Sequence, residues 1–152
     1  MSVEQRLQDL GLSLPTPAAP AANYVPYVIS GNLLVIAGQL PLGPNGIAIH
    51  GKVGDTVTTE QATDAARQCA LNLIAQMKAA VGDLERVVRV VRLGGFVNCT
   101  DTYTDQPKVV NGASDLMVAA FGDKGKHART AVGTNSLPFN VPVEIDAIVE
   151  IA

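Results

Sequence analysis

The nine residues that precede the final alanine show a strict alternation of side chains. From Val143 to Ile151 every odd position is apolar, and three of the four even positions are acidic, namely Glu144, Asp146 and Glu150. A period of two is typical of a β-strand with one face in a core and the other in a polar environment. The sequence therefore predicts a closing strand that presents carboxylates on one face of a sheet.

The segment before this strand carries a single cation. Arg129 stands fifteen residues before Glu144, in a run of otherwise small or apolar residues. A guanidinium stays charged and offers a rigid fork of donors, so one interpretation is an anchor for a carboxylate or phosphate. The other is a structural ion pair with an acid such as Glu144. If the last two strands pair directly, the two residues lie several positions out of register. At about 3.3 Å per residue, a separation above about 10 Å leaves room for a small acid between them.

Glu144 also has two interpretations. It can be a general base or a group that positions water, if partial burial raises its pKa toward neutrality, or it can be an exposed strand glutamate. His127 follows Lys124-Gly125-Lys126 in a predicted loop, which favours a surface histidine. The sequence shows no metal-ligand spacing and no glycine-rich nucleotide motif, so we expect neither a metal nor a cofactor.

Composition limits the function classes. The chain has 152 residues, 47% of them hydrophobic, which fits one globular domain with a core. Its net charge of -3 and the lack of a basic stripe argue against a nucleic-acid partner. Charged residues make up only 16%, against roughly 25% in typical domains. Sparse surface charge favours an oligomer.

The cysteine spacing and the length of the apolar runs indicate the cellular location that we expect. Cys69 and Cys99 lie far apart without a CxxC spacing, which favours two reduced thiols in a cytoplasmic protein. The N-terminus lacks the apolar core of a signal peptide, and no run approaches the roughly 18 apolar residues of a membrane helix. We therefore expect no membrane association.

Periodicity, caps and turn residues give the order of elements. The sequence predicts a short helix over 2–11, an extended Pro/Ala linker over 14–20, a hairpin of strands 27–29 and 33–37, a short strand within 47–53, a long helix from Thr58 or Thr59 to Gly82, a strand over 85–91, a helix over 106–121, and two closing strands. Two long helices in so small a chain can cover only one face of a sheet, so the predicted fold is an α+β two-layer sandwich. The mixed polar and apolar open face favours an oligomer interface with embedded polar sites.

Several spaced motifs then match a known family. They are Pro26-Tyr27-Val28, Ala37-Gly38-Gln39-Leu40-Pro41, Asn111 in the helix that ends at Phe121, Ala128-Arg129, Leu137-Pro138, and Val143-Glu144-Ile145-Asp146-Ala147. With these, the chain resembles the Rid/YjgF family (reactive intermediate deaminases, also called L-PSP endoribonuclease-like). The resemblance covers nearly everything from Pro26 onward. It divides the chain into an N-terminal helix and extension, 1–25, and a Rid/YjgF domain, 26–152.

The resemblance implies a chorismate-mutase-like fold, with a mixed sheet and two main helices on one face, assembled as a homotrimer with clefts between subunits. It implies that Arg129 binds the carboxylate of a small 2-imino or enamino acid. Glu144 and the backbone carbonyl of Ala131 would hold the attacking water. Tyr27 and Gly38 would line the cleft, and Asn111 would come from the neighbouring subunit. The implied reaction is hydrolytic deamination to ammonia and a 2-keto acid, without a cofactor.

Two positions depart from the family pattern. Ala37 replaces the usual serine or threonine, which removes a hydroxyl from the cleft, and Ala131 replaces a frequent cysteine, which leaves only the backbone carbonyl. These departures keep open a non-catalytic module that binds small carboxylates. A third alternative is an endoribonuclease or translation inhibitor, a label attached to parts of the family.

Overall fold

The structure is a computed structural model that describes residues 1–17 and 23–152. It contains helices α1 (Val3–Asp9), α2 (Thr59–Val81) and α3 (Gln106–Phe121), and strands β1 (Tyr27–Ser30), β2 (Leu33–Gln39), β3 (Leu42–Gly43), β4 (Gly46–Ile47), β5 (Val87–Asn98), β6 (Ala128–Thr134) and β7 (Val143–Ile151). Single 3-10 turns occupy Leu84–Arg86, Gly122–Gly125 and Pro138–Asn140. The part of the predicted linker over 18–20 lies outside the described residues.

Five strands form one mixed sheet in the order β1-β2-β7-β5-β6. β5 pairs with β6 in parallel and with β7 in antiparallel orientation. A parallel pair needs a crossover, and α3 supplies it between β5 and β6. The last two strands do not pair directly, because β5 lies between them. The chain passes from β6 to β7 across the end of β5, through the turn at Pro138–Asn140.

The two long helices cover one face of this sheet, as the sequence predicts. The alternating burial of β7 places its odd residues in the core, and Val143, Ile145 and Val149 are fully buried. α2 begins with a capping box at Thr58 and Gln61, which satisfies the first backbone N–H groups of the helix. The α+β two-layer architecture is confirmed.

Two predicted elements differ from the structure. The expected strand within 47–53 is absent from the described chain, which instead has the two-residue strands β3 and β4 and an isolated bridge at Val53. The strand predicted over 85–91 extends to Asn98. Gly94 and Gly95 interrupt the valine-rich pattern there, and buried pairing on both sides of β5 outweighs their poor strand propensity.

The N-terminal helix packs against the rest of the fold. Ser2 caps α1, its hydroxyl accepting from the Gln5 backbone N–H at 3.1 Å. Val3 and Leu7 are buried in the core, and α1 contacts α3. The N-terminal helix therefore supports the helix layer from outside. None of the helices in the described part of the chain is long and apolar enough to cross a membrane.

Candidate functional site

Arg129 lies on β6, the strand at the edge of the sheet. Its partner in the ladder is Leu93, a residue fully buried on the helix side, so the arginine side chain also leans toward the helices. Nη1 donates to the Ser114 hydroxyl at 3.0 Å, and Nη2 donates to the Pro107 carbonyl at 3.3 Å. The guanidinium is thus half-buried and held against α3 by its own chain.

Asn111 belongs to the same surface of α3. Pro107, Asn111 and Ser114 are spaced by four and three residues, a spacing that places side chains along one stripe of a helix. The arginine contacts the first and the last of the three. The exposed Asn111 therefore lies on the face of α3 that the guanidinium contacts.

The carbonyl of Ala131 faces the uncovered edge of the sheet. The Thr134 carbonyl accepts from the Cys99 backbone N–H, and the Thr130 carbonyl lies 3.3 Å from the place of a Cβ on Gly95, so both point toward β5. Successive carbonyls of a strand point to opposite sides. The odd-numbered carbonyl of Ala131 consequently points away from β5, where a water or a ligand can reach it.

His127 is part of the same region and lies in the predicted loop, but its ring is only partly exposed. The ring is half-buried, with Nε2 2.9 Å from the Ser114 hydroxyl and Nδ1 2.6 Å from the Gly125 carbonyl. Burial lowers the pKa of His127, the hydrogen bond to the Gly125 carbonyl opposes this, and the neighbouring Arg129 charge lowers the pKa further. We call Asn111, Ser114, His127, Arg129 and Ala131 the arginine cluster.

Glu144 lies on the other side of the sheet. It is opposite Phe96, and both side chains project from the face that the helices leave open. A Cβ on Gly38 would overlap the Glu144 carboxylate oxygen Oε2, so the absent side chain at this glycine provides the space for the carboxyl group. The β2–β7 register shifts between Ile36 and Gln39, a bulge of the kind found beside functional sites.

Burial makes this carboxyl group a better proton acceptor. Desolvation raises the pKa of Glu144, and the negative charge of Asp146 raises it further. Burial also raises the pKa of Asp146, against the opposing effect of Arg92, whose Nη1 lies 3.9 Å from Oδ1. Glu144 is half-buried, which meets the condition for the first interpretation, and the alternative of an exposed strand glutamate is wrong.

Tyr27 lies at the outer edge of the sheet, half-buried and packed partly against the core. It lines a cavity of about 730 Å³ together with Ala37, Arg92 and Asp146. A second cavity of about 870 Å³ is lined on one side by residues 13–17 and on the other by Gly38. Tyr27 is opposite the buried Ile36, so its side chain lies on the helix side of the sheet and not beside Glu144. We call Gly38, Glu144 and Asp146 the glutamate cluster.

One chain does not bring the two clusters together. Arg129 leans toward the helices at the β6 edge, whereas Glu144 projects from the opposite face of β7. β5 lies between these strands, and neighbouring strands are about 4.8 Å apart, so the two backbones are about 10 Å apart before the side chains diverge. A structural ion pair between Arg129 and Glu144 is therefore excluded within a chain.

The two clusters offer complementary chemistry. The arginine cluster offers a guanidinium that can bind an anion, with a backbone carbonyl beside it. The glutamate cluster offers a half-buried carboxylate whose raised pKa makes it a better proton acceptor.

Sequence reasoning missed Ser114. A serine within a helix has no distinctive pattern, and its contacts with His127 and Arg129 join α3 to residues 13 and 15 positions later. The available signal was spacing, since Ser114 follows Asn111 by three residues and therefore shares its helix face.

The geometry agrees with comparisons to known proteins. A family model described as "YjgF/chorismate_mutase-like, putative endoribonuclease" matches residues 4–150. The chain belongs to the YjgF/Rid family. The resemblance inferred from the spaced motifs is confirmed, and so is the chorismate-mutase-like fold.

Similar proteins match this chain over most of its length. Protein TCP17 of Trypanosoma cruzi is 51% identical over 150 residues, which are 98% of this chain and 94% of that protein. RutC family protein PH0854 of Pyrococcus horikoshii is 30% identical over 138 residues, covering 88% of this chain and 89% of the relative. The crystal structure of protein Atu1372 of Agrobacterium tumefaciens superposes with a TM-score of 0.93 at 51% identity, covering 99% of this chain and 92% of that chain.

Proposed function

We propose that this YjgF/Rid protein is a hydrolytic deaminase of small 2-imino or enamino acids, with a site that two copies of the chain build between them. The observation that carries the proposal is the placement of Arg129 and Glu144 on opposite sides of one sheet. The anchor of one copy and the base of another complete a site that neither copy holds alone.

Each residue has a distinct task in the reaction. Arg129 binds the substrate carboxylate through charge-assisted hydrogen bonds, which places the C=N carbon beside the water. The Ala131 carbonyl and the Glu144 carboxylate hold that water. Glu144 accepts a proton as the oxygen adds to the carbon, and returns it to the nitrogen. Glu144 next takes the proton of the new hydroxyl and passes it to the amino group, so the C–N bond breaks as the C=O bond forms, releasing ammonia and a 2-keto acid. The imine carbon is already electrophilic, so this chemistry needs no cofactor.

The open face of the sheet supports an assembly of copies. Large apolar side chains are exposed there on four strands: Val28, Val35, Phe96 and Val132. Arg92 and Asp146 are embedded among them. An apolar face with embedded polar groups is typical of an interface between subunits, and a closed ring uses every copy equally. The assembly that we propose is a homotrimer with three such sites.

Ammonia release tests the activity. The purified protein should accelerate the conversion of 2-iminopropanoate, generated in the assay, to ammonia and pyruvate. Arg129→Ala and Glu144→Gln should each reduce the rate by about 100-fold or more, since each removes one half of the site. Equal rates for the wild type and both variants would overturn the proposal.

A mixing experiment tests whether the site is shared between copies. Arg129→Ala keeps the glutamate half, and Glu144→Gln keeps the arginine half. In a ring formed from equal amounts of both, about a quarter of the sites join two intact halves by chance. We expect co-expressed variants to regain about a quarter of wild-type activity. A mixture as inactive as its components would place both halves in one chain.

A second candidate function is ligand binding without turnover. Ala37 favours it, because the hydroxyl that the family resemblance implies for this position is absent here. A small 2-keto acid would then raise the melting temperature of the wild type but not of Arg129→Ala, with no ammonia release by either. Acceleration of ammonia release by the wild type excludes this candidate.

The description of the matching family also names endoribonuclease activity. The net charge of -3 opposes it, because affinity for RNA arises largely from cationic side chains that neutralise phosphates. RNA cleavage that persists in an Arg129→Ala, Glu144→Ala double variant would come from a contaminant. Cleavage that both substitutions abolish would support this candidate.

A further inference from the structure

The guanidinium of Arg129 is the first member of a chain of three side chains. Its Nη1 lies 3.0 Å from the Ser114 hydroxyl oxygen, and that oxygen lies 2.9 Å from His127 Nε2. The other ring nitrogen, Nδ1, lies 2.6 Å from the Gly125 carbonyl oxygen. These hydrogen bonds therefore connect the edge strand β6, through Ser114 on α3, to the backbone of the turn before β6.

Each hydrogen bond in this chain has a fixed direction. The Gly125 carbonyl can only accept, so His127 Nδ1 carries a proton. In a neutral ring Nε2 then accepts, and the Ser114 hydroxyl is the donor. Arginine can only donate, so the same hydroxyl oxygen accepts from Nη1. All three bonds are satisfied at once when His127 is the neutral Nδ1–H tautomer.

Burial and the charge of Arg129 favour this neutral form. Arg129 follows His127 by two residues, on β6, and burial of the ring and the Arg129 charge lower the pKa of His127, against the Gly125 hydrogen bond, which raises it. Asp115 follows Ser114 on α3, and Arg89 of β5 donates to the Lys126 carbonyl at 3.0 Å. The Lys126 ammonium is paired with the exposed Asp123 at 3.0 Å. An imidazolium here would place a second positive charge beside the guanidinium and would turn the serine proton away from Nε2.

We propose that Ser114 and His127 are positioning residues, which hold the Arg129 guanidinium in one orientation for the carboxylate of the substrate. His127 orients the serine hydroxyl, and the hydroxyl lone pair fixes Nη1. The Pro107 carbonyl fixes Nη2 at 3.3 Å. A guanidinium has five N–H donors, and these two bonds occupy two of them, so the rest stay free for a ligand. This inference rests on the proposed function of Arg129 as the anchor.

The benefit of this arrangement is a lower entropic cost of binding. A free arginine side chain loses rotamer entropy when a ligand immobilises it. Two hydrogen bonds to α3 immobilise this side chain before the substrate arrives. The effect belongs to binding of the carboxylate and not to the chemical step, so loss of Ser114 should raise KM far more than it lowers kcat.

NMR of the side chains tests the arrangement without any substrate. The chain has two histidines, so ¹⁵N spectra contain two imidazoles, and a His127→Phe variant assigns the relevant one. At pH 7.5 we expect the Nδ1–H tautomer for His127 and slowly rotating, resolved Nη signals for Arg129. Ser114→Ala should merge those Nη signals. A charged ring, an Nε2–H tautomer, or Arg129 signals that Ser114→Ala leaves unchanged would overturn the inference.

Ligand affinity and kinetics supply the second test. Ser114→Ala should weaken pyruvate binding and raise KM by about tenfold, with kcat within about twofold of the wild type. Ser114→Thr keeps the hydroxyl and should restore the wild-type values to within about twofold. His127→Phe should raise KM by about threefold, and the matched variant of the exposed histidine, His50→Phe, should change nothing.

The two tests separate this inference from the proposed function. If Ser114→Ala and Ser114→Thr impair binding equally, the serine matters only for packing and the inference fails while the deaminase proposal stands. If the wild type binds no 2-keto acid and releases no ammonia, the proposed function fails. The ¹⁵N spectra then still decide whether Ser114 and His127 hold Arg129.

Discussion

The functional groups of the arginine cluster and of the glutamate cluster are held in place by different interactions. Hydrogen bonds across elements fix the guanidinium of Arg129, which contacts Ser114 and Pro107 on α3. The carboxyl group of Glu144 instead occupies a space that Gly38 leaves empty, and burial raises its pKa. A permanently charged group needs partners that define its direction. A carboxylate that accepts a proton needs partial burial, which raises its pKa so that it can both take up and release the proton.

The largest expected effect among these variants comes from replacing Arg129 with lysine, which tests whether the arginine cluster depends on the direction of its hydrogen bonds. Arg129→Lys keeps the charge but cannot reach Ser114 and Pro107 together or present a planar fork. We expect kcat/KM for 2-iminopropanoate to fall by about 100-fold, measured by ammonia release. Arg86→Lys, at the far end of the sheet beside Ala152, is the matched control and should retain full activity. If kcat/KM of Arg129→Lys falls by less than about threefold, a positive charge at this position is sufficient for activity, whatever its geometry.

A second variant displaces the helix that supports the arginine cluster. A Cβ on Gly112 would overlap the backbone carbonyl of Thr63, so α2 and α3 must move apart in Gly112→Ala. We expect a loss of about 2 kcal/mol in the free energy of unfolding, measured by urea denaturation. A variant as stable as the wild type would mean that the helix contact adjusts freely, and the support of Arg129 by α3 would then be weak.

Gly38→Ala gives the corresponding test of the glutamate cluster. The added Cβ meets only the end of the flexible Glu144 side chain, so we expect the free energy of unfolding to change by less than about 0.5 kcal/mol. The displaced carboxylate should lower kcat/KM by about tenfold. Gly43→Ala is the control, since its nearest neighbour would lie at 3.6 Å. A large loss of stability in Gly38→Ala would contradict this account.

The smallest expected effect is a dependence of stability on pH. Since the pKa of Glu144 is raised in the folded protein, the folded state binds more protons than the unfolded state between the ordinary and the raised value. Folding stability therefore falls as pH rises through that window. Glu144→Gln should melt at a higher temperature than the wild type at pH 7, and the advantage should shrink toward pH 4. An advantage independent of pH would contradict a raised pKa.

The sequence by itself determined the elements and most of the candidate residues. Periodicity and caps located α2, α3 and β7, because local backbone preferences and the burial of one face leave their pattern in the chain. A lone arginine and an alternating strand glutamate identified the two candidate residues of the proposed site. The bulge in β2 between Ile36 and Gln39 was not predicted. The available signal was Gly38, since a glycine inside a strand pattern often indicates a bulge.

Only the tertiary structure decided how those residues are related. The insertion of β5 between β6 and β7 is a long-range pairing that leaves no local pattern, and it places Arg129 and Glu144 on opposite sides of the sheet. The contacts among Ser114, His127 and Arg129 likewise join a helix to a strand. Sequence periodicity reports which face of an element is buried, whereas distances between side chains follow from how the elements pack.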